Sequence, residues 1–403
     1  MRVCVIGGGA SGMAAALTAA EGGHRVLLLE RQTRVGRKLL STGNGRCNLS
    51  NRYADSEPGR YHGADAAFSS TALCRDDLNV AATLDWFTSL GLLTTEEDGG
   101  RLYPYSNMAG SVLDVLRFAL ERLGVEVHTG CTVTDLHVKE RTFTIAAGTE
   151  IFTADAVILA AGGAAGAKVG GVMDGYHLAR ELGHHRTALY PSLVQLTTDP
   201  TYPRALKGVK AQAVVSVFRG AERLASRAGE VLFTEYGVSG PAVFDVSRAV
   251  STGGEGLTCE LDFLPGQAET DTVTELLHRR SAMTGREAQL LLTGMFHPRL
   301  GQVICKASGF TAQATETLSD ADLGRIARTV HRFALPVTGT CGFDQAQVTA
   351  GGLRTDEFDP ETLRSRLVPG FYACGEVLDV DGDCGGYNLQ WAWSSGRLAG
   401  RLG

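Results

Sequence analysis

The sequence predicts an α/β protein with a parallel-sheet unit at its start, an all-β stretch and a helical block in its middle, and a return to strand and helix at its end. Three observations carry this. The first thirty residues read strand, glycine turn, helix, strand, acid; from about Ala188 the text changes to short alternating strands; and the final block repeats the strand–glycine–helix order.

In the opening stretch an apolar run from Val3 to Ile6 breaks into Gly7, Gly8 and Gly9, and Gly12 follows as an alanine-rich helical pattern begins. Gly7 permits a tight turn at the strand end, Gly9 lets backbone approach a pyrophosphate, and Gly12 lets the helix pack close to the sheet. Ala10 and Ser11 lie at the helix start, where free N–H groups and the helix dipole hold phosphate oxygens. A second apolar run, Val26 to Leu29, ends in Glu30, a carboxylate placed to accept from both hydroxyls of an adenosine ribose. A 2′-phosphate there meets a like charge, so the site favours FAD or NAD over NADP.

The segment after Glu30, RQTRVGRKLLSTGNGRCNLSNRY, predicts a wrapped loop with a short helical piece around Arg37 to Leu40, the second wall of that site. Arg31, Arg37 and Lys38 reach phosphate or ribose, and the turn carrying Gly43, Arg46, Cys47 and Asn48 approaches the redox centre. Asp76 to Leu92 and the run ending at Gly124 predict helices, with Trp86 in the core. Val125 to Val127 predicts a strand, and VTDLHV, starting at Val133, with TFTIAA predicts an antiparallel meander. The apolar strand Asp155 to Ala161 then ends at Gly162 and Gly163, a further place for backbone to approach a nucleotide at Ala161 and Gly162.

PSLVQLTTD, KGVKAQAVVSVFRG, GEVLFTEYGVSG and LTCELDFLP predict an antiparallel, barrel-like domain, with a helix starting after Ser239, Gly240 and Pro241. From about Gln267 to Arg332 the segments TVTELLHRR, REAQLLLTGMF and SDADLGRIARTVHRF predict helices. Phe371 to Ala373 predicts a last strand, ended by Gly375 and Glu376. Gly385, Gly386, Tyr387 and Asn388 then lead into a helix from Leu389 to Ala399, whose start suits the negative charge of a reduced flavin at its N1–C2=O edge.

The chain has 403 residues, enough for two or three domains, with 44% hydrophobic and 20% charged residues. The 51 glycines cluster at strand ends without a period, which excludes collagen and linker repeats. A net charge of −6 gives no general reason to bind nucleic acid, though basic residues gather between Arg31 and Arg60. Nine cysteines without a CxxC pair, no signal-peptide order and no long apolar run predict a reducing, cytoplasmic setting with no membrane span. No HxH, HExxH or Cys/His cluster appears, so no metal is expected; His297 and His331 read as structural or exposed.

GGGASG, GRKLLSTGNGRCNLSN, FTEYGVSGPAVFD, VTAGGL and GFYACGEVLDVDGDCGGYNLQWAWSSG together resemble the BaiN/YhiN-like (HI-type conserved) bacterial flavoproteins, of the two-dinucleotide-binding-domain class; the likeness runs from Arg2 to Gly400. The resemblance implies a glutathione-reductase-type FAD-binding domain over residues 1–189 and 342–403. It also implies an inserted β-barrel over 190–266 and 333–341, and a helical subdomain over 267–332. It implies FAD as cofactor with NAD(P)H as transient electron donor, Gly375 and Glu376 at the ribityl or pyrophosphate region, and Gly385, Gly386, Tyr387, Asn388 and Leu389 at the flavin. The chain departs from its relatives at Thr362 to Ser365, where TLRS stands in place of TMES.

The implied activity is hydride transfer from flavin to an activated C=C bond. Alternatives are dihydrouridine synthesis in large-subunit (23S) ribosomal RNA, with ribosomal RNA as partner, and a non-catalytic flavin- or RNA-binding protein. A small-molecule substrate predicts an enclosed apolar pocket, and RNA predicts a basic face drawn from Arg31, Arg34, Arg52, Arg60, Arg204, Lys207 and Lys210. No second complete GxGxxG occurs, so a nicotinamide visits the flavin only transiently. Reduction also needs a proton donor. Cys47 is the first candidate, with Asn44 and Asn48 orienting, or else Cys47 packs beneath the flavin; Tyr387 and Cys384 are the other donors considered. A monomer or weak homo-oligomer is expected.

Overall fold

The computed structural model describes residues 1–403, the side chains of Pro58 and Ala66 excepted. The chain forms two compact units, residues 1–190 with 347–403, and residues 191–346.

The first unit opens with β1 (Arg2–Ile6), α1 (Ala10–Glu21) and β2 (Arg25–Glu30). A kinked 3-10 segment, Leu39–Gly45, replaces the short helix expected at Arg37, because Thr42, Gly43 and Asn44 leave helical geometry. Then come β3 (Ser50–Asn51), β4 (Tyr61–His62), α2 (Ala66–Leu73), α3 (Val80–Ser89), β5 (Thr94–Glu97), β6 (Arg101–Pro104) and α4 (Ala109–Arg122). The helix expected from Asp76 starts only at Val80, because the Asn79 side chain caps it by accepting from the Ala82 N–H at 2.9 Å. Trp86 is buried, as read. β7 (Glu126–Thr129), the meander β8 (Val133–Lys139), β9 (Thr142–Ala147) and β10 (Glu150–Ala154), then β11 (Ala156–Leu159), α5 (Asp174–Glu181) and β12 (Tyr190–Ser192) complete this part.

The second unit holds β13 (Leu196–Thr198), β14 (Lys210–Arg219), β15 (Glu222–Phe233), β16 (Gly237–Ser239), α6 (Pro241–Gly253), β17 (Leu257–Asp262), α7 (Glu269–Ala282), α8 (Pro298–Ala307), α9 (Asp320–His331) and β18 (Phe333–Thr340). Its six strands close a barrel in the order β13-β16-β15-β14-β17-β18. Alternation along β17, buried at Leu257, Cys259 and Leu261, turns one face into the barrel core. REAQLLLTGMF is not a helix. Only Ala288–Leu290 form a 3-10 turn, and Gly294 inside the segment is held at positive φ, outside helical geometry. His297 caps α8, and His331 bonds Asp262 and Thr272.

The chain returns to the first unit with β19 (Val348–Ala350), β20 (Phe371–Ala373), β21 (Asp381–Gly382) and α10 (Tyr387–Gly400). The central sheet is parallel, in the order β20-β11-β1-β2-β7. Cys4 pairs with Leu27 on one side and Val157 on the other, and Val157 pairs with Phe371, so the C-terminal strand shares the sheet opened at the N-terminus. All four residues of β11 are buried, as a doubly covered parallel strand requires. Among the described residues no helix is long and apolar enough to cross a membrane, and no group of three or more His, Cys, Asp or Glu is placed to hold a metal ion.

Candidate active site

The three glycines of the opening turn have three distinct surroundings. Gly7 has φ +108°, and a Cβ there would lie 2.4 Å from the Ala160 carbonyl oxygen. A Cβ on Gly12 would lie 1.8 Å from the Gly7 oxygen, so α1 packs against the turn with no room for a side chain. A Cβ on Gly9 would meet nothing within 4 Å. Gly9 also caps α1 without a side-chain bond and no acid stands in the first turn, so the N–H groups of Ala10, Ser11 and Gly12 face a clear space with the positive end of the helix dipole. That cradle fits a pyrophosphate.

Glu30 is 8% exposed; Oε2 accepts from the Gly8 N–H and Oε1 from the Gln32 N–H, each at 2.7 Å. The loop after it folds back: the Gly36 N–H donates to Gly8 at 2.8 Å, and the Cys131 N–H donates to Glu30 at 2.9 Å, which brings the start of β8 and buried Val133 beside the acid. Arg37 donates to Gln32 at 2.7 Å and Arg31 lies 3.7 Å from Asp174. Ala161 and Gly162 follow β11 directly, and a Cβ on Gly162 would be unobstructed.

Lys38 and Glu376, read separately as phosphate and ribityl ligands, form an ion pair at 2.6 Å. Glu376 also accepts from the Thr349 N–H at 3.0 Å, while the Thr349 hydroxyl accepts from Ala165 at 2.9 Å. Thr349 was not singled out by the sequence, although it lies in the recognised VTAGGL motif. Gly375 has φ +76°, donates to Ser395 at 3.0 Å, and accepts from the Trp391 indole at 3.1 Å.

The start of α10 is also uncapped. Gly386 caps it at φ +106° with no side-chain bond and no acid in the first turn, and a Cβ there would lie 2.2 Å from the Ser50 carbonyl oxygen. The Asn51 amide donates to Gly385 at 2.9 Å, and Asn388 clamps Gly382 by accepting from its N–H at 2.8 Å and donating to its oxygen at 2.7 Å. Leu389, partly buried, packs against the unit's core. Asn48 is half-buried, and its Oδ1 is buried without a partner, an acceptor that a ligand N–H would satisfy. Gly43 has φ +57°, and Arg46 lies over the Tyr103 ring at 4.2 Å while bonding Asn107 and Glu97. An orphaned acceptor, an open glycine cradle and two bare helix starts fit the phosphates and ring of FAD.

Two of the proton-donor candidates are buried. Cys47 has 0% exposure, and its thiol is pushed up to about 12 by desolvation. Tyr387 is 3% exposed, edge-on to Tyr61 at 5.8 Å and covered by Arg60, with the Tyr61 hydroxyl donating to its carbonyl at 3.0 Å. Cys384 is half-buried.

This fold and site define a glutathione-reductase-type flavoprotein, an FAD-dependent oxidoreductase with NAD(P)H as electron donor. The model of the HI0933-like protein Rossmann domain matches residues 1–402, and the chain belongs to that family. It is 40% identical to a 3-dehydro-bile acid Δ(4,6)-reductase of Clostridium scindens over 99% of this chain and 98% of the relative. It is 30% identical to a ribosomal RNA dihydrouridine synthase of Escherichia coli, over 97% and 95%. The fold is shared with a 3-ketosteroid Δ4-(5α)-dehydrogenase of Rhodococcus jostii at TM-score 0.50 and 16% identity, covering 99% of this chain and 95% of that one.

Proposed function

We propose that the protein reduces an activated C=C bond, conjugated to a carbonyl, in a small apolar substrate. FAD, when bound, supplies the hydride. The bare start of α1 holds its pyrophosphate, Glu30 its adenosine ribose, Lys38 and Glu376 the middle of the cofactor, and Asn48 with the start of α10 its ring. Residues 1–189 and 342–403 act as the FAD domain of an enzyme working in the cytoplasm as a monomer or weak homo-oligomer.

One observation favours a small substrate over RNA. Of the seven basic residues from which an RNA-binding face would be drawn, five are paired with carboxylates: Arg31 with Asp174, Arg52 with Glu96, Arg60 with Glu57 and Asp383, Lys207 with Glu235, and Lys210 with Glu230. Paired charges have little left to exchange for phosphate counterions. Dihydrouridine formation in ribosomal RNA is supported by the Escherichia coli relative, and it reduces the same kind of bond.

The test is anaerobic reoxidation of the NAD(P)H-reduced holoenzyme. A 3-oxo-Δ4,6 bile acid is expected to restore the oxidised flavin spectrum and to gain two hydrogens by mass. If it does neither, while 23S RNA from a deletion strain loses dihydrouridine, the RNA reading replaces this one.

A further inference from the structure

A buried carboxylate and a half-exposed imidazole stand at the flavin loop, and the readings above leave both without a task. His62 closes β4, which pairs antiparallel with β21, so that His62 faces Asp381 and Tyr61 faces Gly382. His62 Nε2 lies 2.8 Å from Asp383 Oδ1, with 30% of the His62 side chain exposed and only 3% of the Asp383 side chain. Asp383 also receives Arg60 at 3.3 Å, and Arg60 bonds Glu57 at 2.7 Å while its guanidinium covers the Tyr387 ring at 5.7 Å. The carboxylate is fixed to the helix start as well, since its backbone N–H donates to the Arg60 oxygen at 2.9 Å and its carbonyl accepts from Asn388 at 3.4 Å. Two residues separate Asp383 from Gly386, the cap of α10.

We infer that His62 is the proton donor of the reaction and that Asp383 is its positioning residue. The inference rests on the alkene-reductase reading. The substrate gains a hydride at one alkene carbon, supplied by reduced flavin, and the π electrons move onto the conjugated carbonyl. The neighbouring carbon then takes a proton from Nδ1 of the His62 imidazolium, whose Nε2–H stays on Asp383, and the ring recovers its proton from water at its exposed edge. The net change is one hydride and one proton added across the bond. The charged groups around the ring are Asp383, Arg60 and Glu57 beyond it, and Asp381 across the strand pair; Asp379 is turned to the Ala64 N–H at 3.2 Å. Unlike Cys47 and Tyr387, His62 has exposed surface beside the flavin loop, and Asp383 fixes its ring.

The test uses holoenzyme with H62Q and D383N. With equal FAD content and unchanged reoxidation by ferricyanide, which needs no proton donor, reoxidation by the 3-oxo-Δ4,6 bile acid is expected to fall about 100-fold in H62Q and about tenfold in D383N. A second readout needs no turnover. The imidazole 15N signal missing from H62Q is expected to shift in the oxidised wild type on adding p-chlorophenol, an enolate mimic, and phenol affinity is expected to drop tenfold in H62Q. An unmoved signal with equal phenol affinity, or alkene reoxidation unchanged in H62Q, overturns the His62 assignment. Wild-type enzyme that leaves the bile acid unreduced but shows the phenol response counts against the substrate, not against His62.

Discussion

The helix starts at Gly9 and at Gly386 look alike and are built for different reasons. Both lack a side-chain cap and a first-turn acid. A side chain at Gly9 would enter open space, whereas one at Gly386 would strike the Ser50 carbonyl at 2.2 Å and sit at φ +106°. The first glycine leaves room for a ligand; the second lets two pieces of backbone touch. Absent side chains at a cofactor site therefore have two meanings, and only the surroundings separate them.

Substitution breaks or sharpens this contrast. The largest effect is expected for G12A, whose Cβ would lie 1.8 Å from the Gly7 oxygen; apo-protein stability measured by urea unfolding should fall by more than the roughly 1–3 kcal/mol typical of overpacking, with FAD lost. G386A is expected to destabilise apo-protein by about 1–3 kcal/mol, the order of a non-glycine held in a disfavoured backbone region, whereas G9A should leave apo stability near wild type and weaken FAD binding at least tenfold. Equal apo destabilisation by G9A and G386A would erase the distinction. E30Q is expected to weaken FAD by about 1–2 kcal/mol, since it replaces a charged acceptor with an amide; fluorescence titration measures it. C47A should cost about 1 kcal/mol of stability, the centre of the range for point substitutions, and leave turnover within about twofold.

The smallest effect concerns a buried clasp away from the glycines. His184 bonds Glu357 at 2.8 Å and Ser365 at 2.9 Å, and its ring stacks on Phe358. Burial holds the imidazole below its ordinary pKa, while bonds from His185 and His184 hold Glu357 below the carboxylate range. Both folded values are depressed, so the unfolded chain binds more protons and stability falls as pH drops, first below the ordinary histidine value and then through the carboxylate range. H184Q should flatten the first part of that slope in thermal melts between pH 7.5 and about 5.

The AMP side was legible because its parts are neighbours in the chain: Gly7, Gly9, Gly12 and Glu30 lie within one strand–helix–strand unit, and each spacing has its own steric cause. The flavin side is assembled from distant pairs, Lys38 with Glu376, Asn51 with Gly385, His62 with Asp383 and Ser50 with Gln390, the last at 2.6 Å. No periodicity links residues more than three hundred positions apart, so the sequence named Lys38 and Glu376 without pairing them and passed over Asn51 and His62. Cys47 is buried, and a cysteine in a polar, glycine-rich turn gives no sign that its side chain points inward. The expected helix in REAQLLLTGMF is interrupted locally by Gly294, held at positive φ inside the segment.

The close approach of α1 and α10 has a consequence in time. A Cβ on Gly396 would lie 2.3 Å from the Ser11 oxygen, and one on Gly400 2.6 Å from the Ala15 oxygen, while the Trp393 indole is anchored on the Leu49 carbonyl at 2.9 Å. The wall that covers the first helix is thus made of residues that lie far along the chain from it. α10 is synthesised after α1, so the first helix gains this wall only once α10 has been made.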